Sequence, residues 1–373
     1  MRRSAASEDS VCIALMASRP RRSFRIGFRR EPVASCFANG YHQDTSMLVF
    51  GPVPSRRLGR SLGINNIPPK SCTYSCVYCQ VGPTPRTEVV PRAFYAPARI
   101  VKDVERHLSR LRERGERVDY LTFVPDGEPT LDDRLGETIE RLRPLGIPVA
   151  VISNGSLLSR EDVRECLSKA DWVSVKLDAA DPATWRQVNR PDPALDHEVM
   201  LEGIVRFASC FPGTLATETM LVAGVNDGAA NAEAVGGFIK RIAPHRAYLS
   251  APIRPPAEQG VKPPQPPSLN RFFQIVRGHV DNLELMSGYE GDAFASTGRL
   301  ADDLLAISAV HPLRESAVRA LVDRSGGDWS VVEKLITDGL LIPTEFGGHR
   351  FYVHHLRRAA EPAEKSEGEW ISD

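Results

Sequence analysis

The chain has 373 residues, and its 47 lysines and arginines balance 47 aspartates and glutamates to a formal net charge of zero. Hydrophobic residues make up 42% and charged residues 25%, ordinary proportions for a globular protein long enough for one large domain and a small one. These values exclude an overall electrostatic drive towards nucleic acid or membrane, and no apolar run approaches the roughly 20 residues of a membrane helix. A soluble, cytoplasmic protein with reduced thiols is expected.

In chain order, residues 1–46 scatter Arg2, Arg3, Arg19, Arg21, Arg22, Arg25, Arg29 and Arg30 among Ser, Ala and Pro without apolar periodicity. That composition predicts a disordered or mis-assigned extension, with a transit peptide and a flexible RNA-binding arm as alternatives and Met47 as a second candidate start. Next comes Lys70-Ser-Cys-Thr-Tyr-Ser-Cys-Val-Tyr-Cys-Gln80, which sets Cys72, Cys76 and Cys79 in a C-x3-C-x2-C array. Loop residues three or four apart can turn their sulfurs onto one centre, so the spacing predicts an iron–sulfur cluster. Three sulfurs leave one iron of a four-iron cluster open to a substrate or cofactor. A structural zinc would want a fourth ligand, and no second pair follows at a suitable distance. A disulfide framework would need many cysteines in a short oxidised chain, whereas seven are spread over 373 residues.

Strand-like apolar runs follow at 120–124, 149–153, 172–177, 217–222 and 247–250, with helical stretches at 98–114, 131–145, 160–170, 196–209 and 229–242. Short apolar runs alternating with longer helices imply a parallel sheet covered by helices, and six such units, counting a strand before the cysteine loop, make an incomplete α/β barrel. Prolines crowd 252–267 and predict an extended connector at the barrel rim, before a helix at 269–280 and a strand at 283–285. Residues 300–356 read as a separate winged-helix-like domain, with helices at 300–310, 315–323 and 329–338 and a hairpin turning at Gly347-Gly348. His349, Arg350, His354, His355, Arg357 and Arg358 make the wing end basic, but Glu333, Lys334 and Asp338 give the third helix a poor phosphate-binding face. Both nucleic-acid contact and a structural or partner role stay open for this domain. The charged tail at 359–373 is expected to be disordered.

In a parallel barrel the polar residues at the carboxyl ends of strands carry the chemistry. Pro125-Asp-Gly-Glu-Pro-Thr130 follows the second strand, where Gly127 permits unusual backbone geometry, Pro129 stiffens the turn, and Glu128 and nearby carbonyls can face a cation. The same residues would also suit a helix N-terminus with nothing bound. Asn154, in Ser153-Asn-Gly155, ends the next strand. Alternation then puts Ser174, Lys176 and Asp178 on one face of their strand and Val173, Val175 and Leu177 on the other. Inward polar side chains are costly unless paired with each other or with a ligand. Glu218, Asn226, Arg254 and Asn189-Arg190 are further candidates, each equally explained by a solvated surface, while Cys166 and Cys210 read as buried small hydrophobes.

The array Cys72-x-x-x-Cys76-x-Tyr-Cys79 resembles the signature of the radical S-adenosylmethionine (SAM) superfamily. Its flanks, Phe50-Gly-Pro-Val-Pro-Ser-Arg-Arg-Leu-Gly-Arg60 and Pro69-Lys-Ser, resemble the branch of iron–sulfur oxidoreductases related to wyosine-base synthases and the nitrogenase-cofactor protein. The likeness runs from about residue 47 to about residue 295. It implies a partial (β/α)6 barrel, a [4Fe–4S] cluster on the three cysteines, and cleavage of SAM to a 5′-deoxyadenosyl radical that abstracts hydrogen from a substrate. The turn at 125–130 looks like the superfamily's Gly-Gly-Glu-Pro motif, which holds the SAM amino group, with Asp126 in place of the first glycine. By the same resemblance Tyr78 lies beside the adenine, and Ser174, Lys176 and Asp178 form the SAM-binding strand. An external electron donor of flavodoxin or ferredoxin type is implied, with a tRNA or a protein as substrate. Three readings compete: a glycyl-radical activase or peptide-modifying enzyme, a non-enzymatic iron–sulfur sensor that binds DNA, and a zinc-stabilised interaction protein.

Overall fold

The structure is a computed structural model, and it describes residues 48–286, 288 and 291–354. The expectations for 1–46 and 359–373 lie outside the described residues.

β1 (Val49–Ser55) and β2 (Gly59–Ile64) pair as an antiparallel hairpin. From β2 onward the sheet is parallel and follows chain order through β3 (Tyr120–Phe123), β4 (Val149–Ser153), β5 (Trp172–Lys176), β6 (Thr214–Met220), β7 (Arg246–Ser250) and β8 (Leu283–Met286). Parallel neighbours need a long crossover, and every crossover here carries helix. These are α1 (Pro97–Glu113), α2 (Leu135–Leu142), α3 (Glu161–Leu167), α4 (Pro182–Asn189) with α5 (His197–Cys210), α6 (Ala229–Ile242) and α7 (Pro266–Arg277). The six units from β2 to α7 are the partial (β/α)6 barrel, extended by β8 at one edge and β1 at the other. Only one strand was expected before the cysteine loop. Gly51, Pro52 and Pro54 break the apolar alternation of β1, and its pairing with β2 shifts between Phe50 and Val53.

Strand alternation sorts the side chains. Val173, Val175 and Leu177 join the main core under the helices, together with Ile100, Val104, Leu108 and Leu111, spaced at three and four residues along one face of α1. On the inner face Leu58, Ala150, Trp172, Ala216, Tyr248 and Met286 form a separate apolar cluster that fills the barrel floor. The polar inner positions lie above it, towards the carboxyl ends of the strands.

After the barrel come α8 (Leu300–Val310), β9 (Leu313–Arg314), α9 (Glu315–Ser325), α10 (Ser330–Thr337), β10 (Leu341–Phe346) and β11 (His349–His354). The three strands order as β10-β11-β9, and the helices close over Leu304, Ile307, Val318, Leu321, Leu335 and Tyr352. Two-residue β9 is too short to leave a pattern in the sequence. Gly347 and Gly348 have φ of 57° and 75°, the left-handed pair that a two-residue hairpin loop needs. This C-terminal unit is not detached: Ala306 and Val310 of α8 pack on Phe50 of β1.

Phe50 reaches that position because its partner in β2 is Gly63. A Cβ at Gly63 would lie 2.0 Å from Phe50 Cζ, with other ring atoms at 2.4 Å. Gly63→Ala should therefore displace the ring from beneath α8 and cost about 1–3 kcal/mol, as overpacked core sites do. Urea denaturation checks this, and an unchanged midpoint would contradict the packing described.

Candidate active site

The cysteine loop leaves β2 and is tied down on both sides. On the β3 side, Lys70 N–H donates to Asp126 O at 2.7 Å, Ser71 pairs with Gly127, and Glu128 N–H donates to Ser71 O at 2.9 Å. Gly127 has φ of 155°, and a Cβ there would sit 2.0 Å from Ser71 O, so glycine is what lets the loop lie against the strand end. On the α4 side, Ser75 N–H donates to Asn189 O at 3.1 Å and Val77 N–H to Val188 O at 3.0 Å. The loop then turns on Cys79 N–H to Cys76 O, 3.1 Å, and Gly82 N–H to Cys79 O, 3.2 Å.

Cys72, Cys76 and Cys79 are free thiols, each half-buried. Side-chain amides reach two of them: Asn189 Nδ2 lies 3.4 Å from Cys76 Sγ, and Asn154 Nδ2 lies 3.8 Å from Cys72 Sγ and donates to Thr73 Oγ1 at 2.7 Å. Burial pushes all three thiols up, Cys76 to about 12, and each is raised further by the charge of another cysteine or a nearby carboxylate. At Cys79 the cations of Lys70 and Lys176 work in the opposite direction.

Glu128 is the knot of the strand ends. Its Oε1 accepts from Thr130 N at 3.1 Å, Thr130 Oγ1 at 2.6 Å and Ser153 Oγ at 2.7 Å, and its Oε2 accepts from Asn154 N at 2.7 Å. Four donors match the capacity of one carboxylate. Glu128 thus fastens β3 to β4, and Pro129 starts the short 3-10 turn Pro129–Leu131 beside it. Asp126 is paired through Oδ1 with Lys70 Nζ at 3.0 Å, and burial, opposed by Lys70, raises it to about 6. The residue standing for a glycine is therefore half of an ion pair that clamps the cysteine loop. Lys70 Nζ lies 3.4 Å from Gly82 O at the far end of that loop.

Inside the barrel, Ser174 is 1% exposed on β5, and Lys176 faces Glu218 of β6 in register, Nζ to Oε1 2.9 Å. Arg57, from the β1–β2 turn, pairs with Glu218 Oε2, and Ser250 Oγ donates to its Oε1 at 3.1 Å. Burial opposes ionisation of Glu218, but the charges of Arg57 and Lys176 hold it well below the usual carboxylate range. Burial would likewise lower Lys176, and Glu218 and Asp178 together raise it. Asp178, just past β5, accepts from Tyr78 Oη, from Asn189 Nδ2 at 2.7 Å and from Met220 N at 2.7 Å. The ammonium of Lys176 lies 5.5 Å from the centroid of the Tyr78 ring. Tyr78, Lys176 and Asp178 thus meet directly beside the cysteine loop, as do Asn154, Gly127 and Glu128 on its other flank.

The remaining candidates divide. Asn226 is spent on backbone, accepting from Val222 N and donating to Asp178 O and Met220 O; Arg190 pairs with Glu258; and Arg254 donates to Gln80 Oε1 at 3.1 Å. Cys166 is half-buried and Cys210 is exposed at the end of α5, where it donates to Arg206 O, so the expectation that both are buried is corrected. Arg57 and Gln80 were not singled out from sequence. Arg57 stood in the quoted flank, but its partner lies 161 residues away.

The donor set fits an iron–sulfur cluster. Three free thiols sit on one loop, Cys72 raised by Cys76 and Cys79 and Cys76 by Cys79, with two amide donors and two lysines to compensate negative sulfur. Among the described residues no three His, Cys, Asp or Glu side chains converge on a single ion. A four-iron cluster spreads its thiolates over separate corners and does not require such convergence.

A UPF0026 protein of Methanocaldococcus jannaschii is 41% identical over 312 residues, covering 83% of this chain and 97% of that protein. Another, from Helicobacter pylori, is 32% identical over 313 residues, covering 82% and 97%. An S-adenosylmethionine-dependent nucleotide dehydratase of Flammeovirga pacifica is 28% identical over 120 residues, 32% of this chain and 39% of that protein. The family described as the Radical SAM superfamily matches residues 66–232, the stretch from the cysteine loop to α6. This chain belongs to the UPF0026 family, and its residues 66–232 carry a radical SAM domain. It is a radical SAM enzyme, and its cofactors are a [4Fe–4S] cluster and SAM. No helix among the described residues is long and apolar enough to cross a membrane.

The buried triad of this radical SAM chain has a signature in pH. The folded-state pKa of Glu218 is depressed, so its stabilisation is present above the unfolded value of about 4.3 and is lost as pH falls below it. Glu218→Gln removes the carboxylate that Arg57 and Lys176 share and should destabilise by about 3 kcal/mol at neutral pH. The gap between wild type and variant, followed by denaturation from pH 7 downward, should narrow below about pH 4. A gap independent of pH would mean that the charge is not what matters.

Proposed function

We propose that Cys72, Cys76 and Cys79 hold the cluster and that SAM lies across the carboxyl ends of β3 to β6. In this reading Tyr78, Gly127, Glu128, Pro129, Asn154, Ser174, Lys176 and Asp178 form its pocket. The observation that carries it is the convergence on one loop of two polar groups from distant segments: Tyr78–Asp178–Lys176 on one flank and Gly127–Glu128–Asn154 on the other.

When bound, the cluster and SAM supply reductive cleavage of a carbon–sulfur bond and a 5′-deoxyadenosyl radical that takes hydrogen from the substrate. The chain's part is orientation. Glu128, saturated by four donors, fixes the turn so that the carbonyls around Gly127 face the SAM ammonium. Lys176, tethered by Glu218, offers its remaining N–H bonds to a carboxylate. Asp178 holds the Tyr78 ring where an adenine can lie against it, and the apolar floor under Trp172 and Tyr248 keeps water from that side.

An external flavodoxin or ferredoxin-like donor would supply the electron, in the cytoplasm, where thiols stay reduced. For the substrate, tRNA and protein are the two classes to test, with a glycyl-radical-type activase within the second. One observation favours a protein partner over nucleic acid at the winged-helix-like unit. Of the basic residues expected at the wing, Arg350 pairs with Glu345 and Glu315, and elsewhere in the unit Arg319 pairs with Glu315 and Lys334 with Asp338; His355, Arg357 and Arg358 lie outside the described residues. The same compensation weighs against the DNA-binding sensor.

The test is anaerobic reconstitution with iron and sulfide, reduction with dithionite, and chromatography for 5′-deoxyadenosine. Wild type should bind about four irons and cleave SAM, and Cys→Ala at position 72, 76 or 79 should abolish both. Turnover retained without these cysteines would sink the assignment. Adding tRNA or protein extract should raise the rate for whichever class contains the substrate.

A further inference from the structure

Gln80 follows Cys79 directly and uses both ends of its side-chain amide. Its Nε2 donates to the carbonyl of Val310, the last residue of α8, at 2.9 Å across 230 positions of sequence. Its Oε1 accepts from Nη1 of Arg254 in the proline-rich rim connector at 3.1 Å. The end of α8 is itself held from below: Phe50 packs on Ala306 and Val310, and the buried ring of His311 meets Phe294 edge-on at 5.3 Å between centroids. A carbonyl at a helix end has no partner within its helix, so an amide placed there satisfies a group that would otherwise be left open.

We propose that Gln80 is a positioning residue that latches the third cysteine to the carboxyl end of α8, making the C-terminal unit one wall of the cluster chamber. The inference rests on the assignment of Cys72, Cys76 and Cys79 to the cluster and goes beyond it. It gives the C-terminal unit a task that needs no nucleic acid: shielding the Cys79 edge, where the incomplete barrel has no further strand to cover it. It also means that a partner docking on that unit would have a route to the cluster through Gln80.

Two substitutions separate the latch from bulk packing. Gln80→Glu keeps an acceptor for Arg254 but turns a carboxylate towards the Val310 carbonyl; Gln80→Leu removes both bonds at similar size. In the cluster-free full-length chain, hydrogen exchange in peptides covering 76–84 and 303–313 should speed up together by about fivefold in both variants, while the urea midpoint stays close to wild type. In the reconstituted protein, both variants should bleach in air at least about threefold faster and broaden the electron paramagnetic resonance spectrum of the reduced cluster.

Exchange unchanged in either peptide would overturn the latch. Faster exchange with wild-type bleaching and spectrum would overturn the shielding role. A wild-type chain that binds no cluster would instead overturn the cysteine assignment, and the exchange result alone would then decide whether Gln80 joins the two units.

Discussion

Charge buried without water must be answered by protein, and that constraint organises the open end of this barrel. Three thiols, Asp126, Glu128, Asp178 and Glu218 are gathered within a few strand ends. Burial drives the thiols and the first three carboxylates towards their neutral forms. Each is answered differently: Glu128 by four hydrogen-bond donors, Asp126 by Lys70, Asp178 by Tyr78 and two amides, and Glu218 by two cations. The cysteines are answered least completely by the protein itself. In the proposed assignment a bound cluster would supply the missing compensation.

The same groups act as joints. Glu128 ties β3 to β4, Asp178 ties the end of β5 to β6 and to the cysteine loop, and Glu218 ties β5, β6 and β7 to the β1–β2 turn. A chain that positions a radical in this way spends its polar interior on rigidity. Lys176 keeps donor capacity beyond its bond to Glu218, which suits the carboxylate of an amino acid.

Much of this was legible in the sequence because it is local or periodic. The C-x3-C-x2-C spacing, the turn at 125–130 and the alternation of Ser174, Lys176 and Asp178 need only neighbouring residues to be read, and the βα rhythm gave the partial barrel. The partners were not legible. Arg57–Glu218, Lys70–Asp126 and Gln80–Val310 join residues 161, 56 and 230 positions apart. Nothing in a strand or turn pattern specifies which cation crosses the barrel to meet which carboxylate. Nor does the pattern show that the substitution of Asp126 for glycine comes with a lysine to neutralise it. That two strands and not one precede the cysteine loop escaped notice for a different reason, since the glycine and prolines of β1 hide a strand that only pairing with β2 makes regular.

The central claim is that the cysteine loop and the strand ends form a single pocket in which SAM meets the cluster. The most direct test is the electron paramagnetic resonance spectrum of the reduced, reconstituted protein before and after SAM is added. The account predicts a change of spectrum on addition of SAM, because the open iron gains a ligand, and loss of that change in Lys176→Ala. An identical spectrum with and without saturating SAM, from a fully loaded cluster, would contradict it.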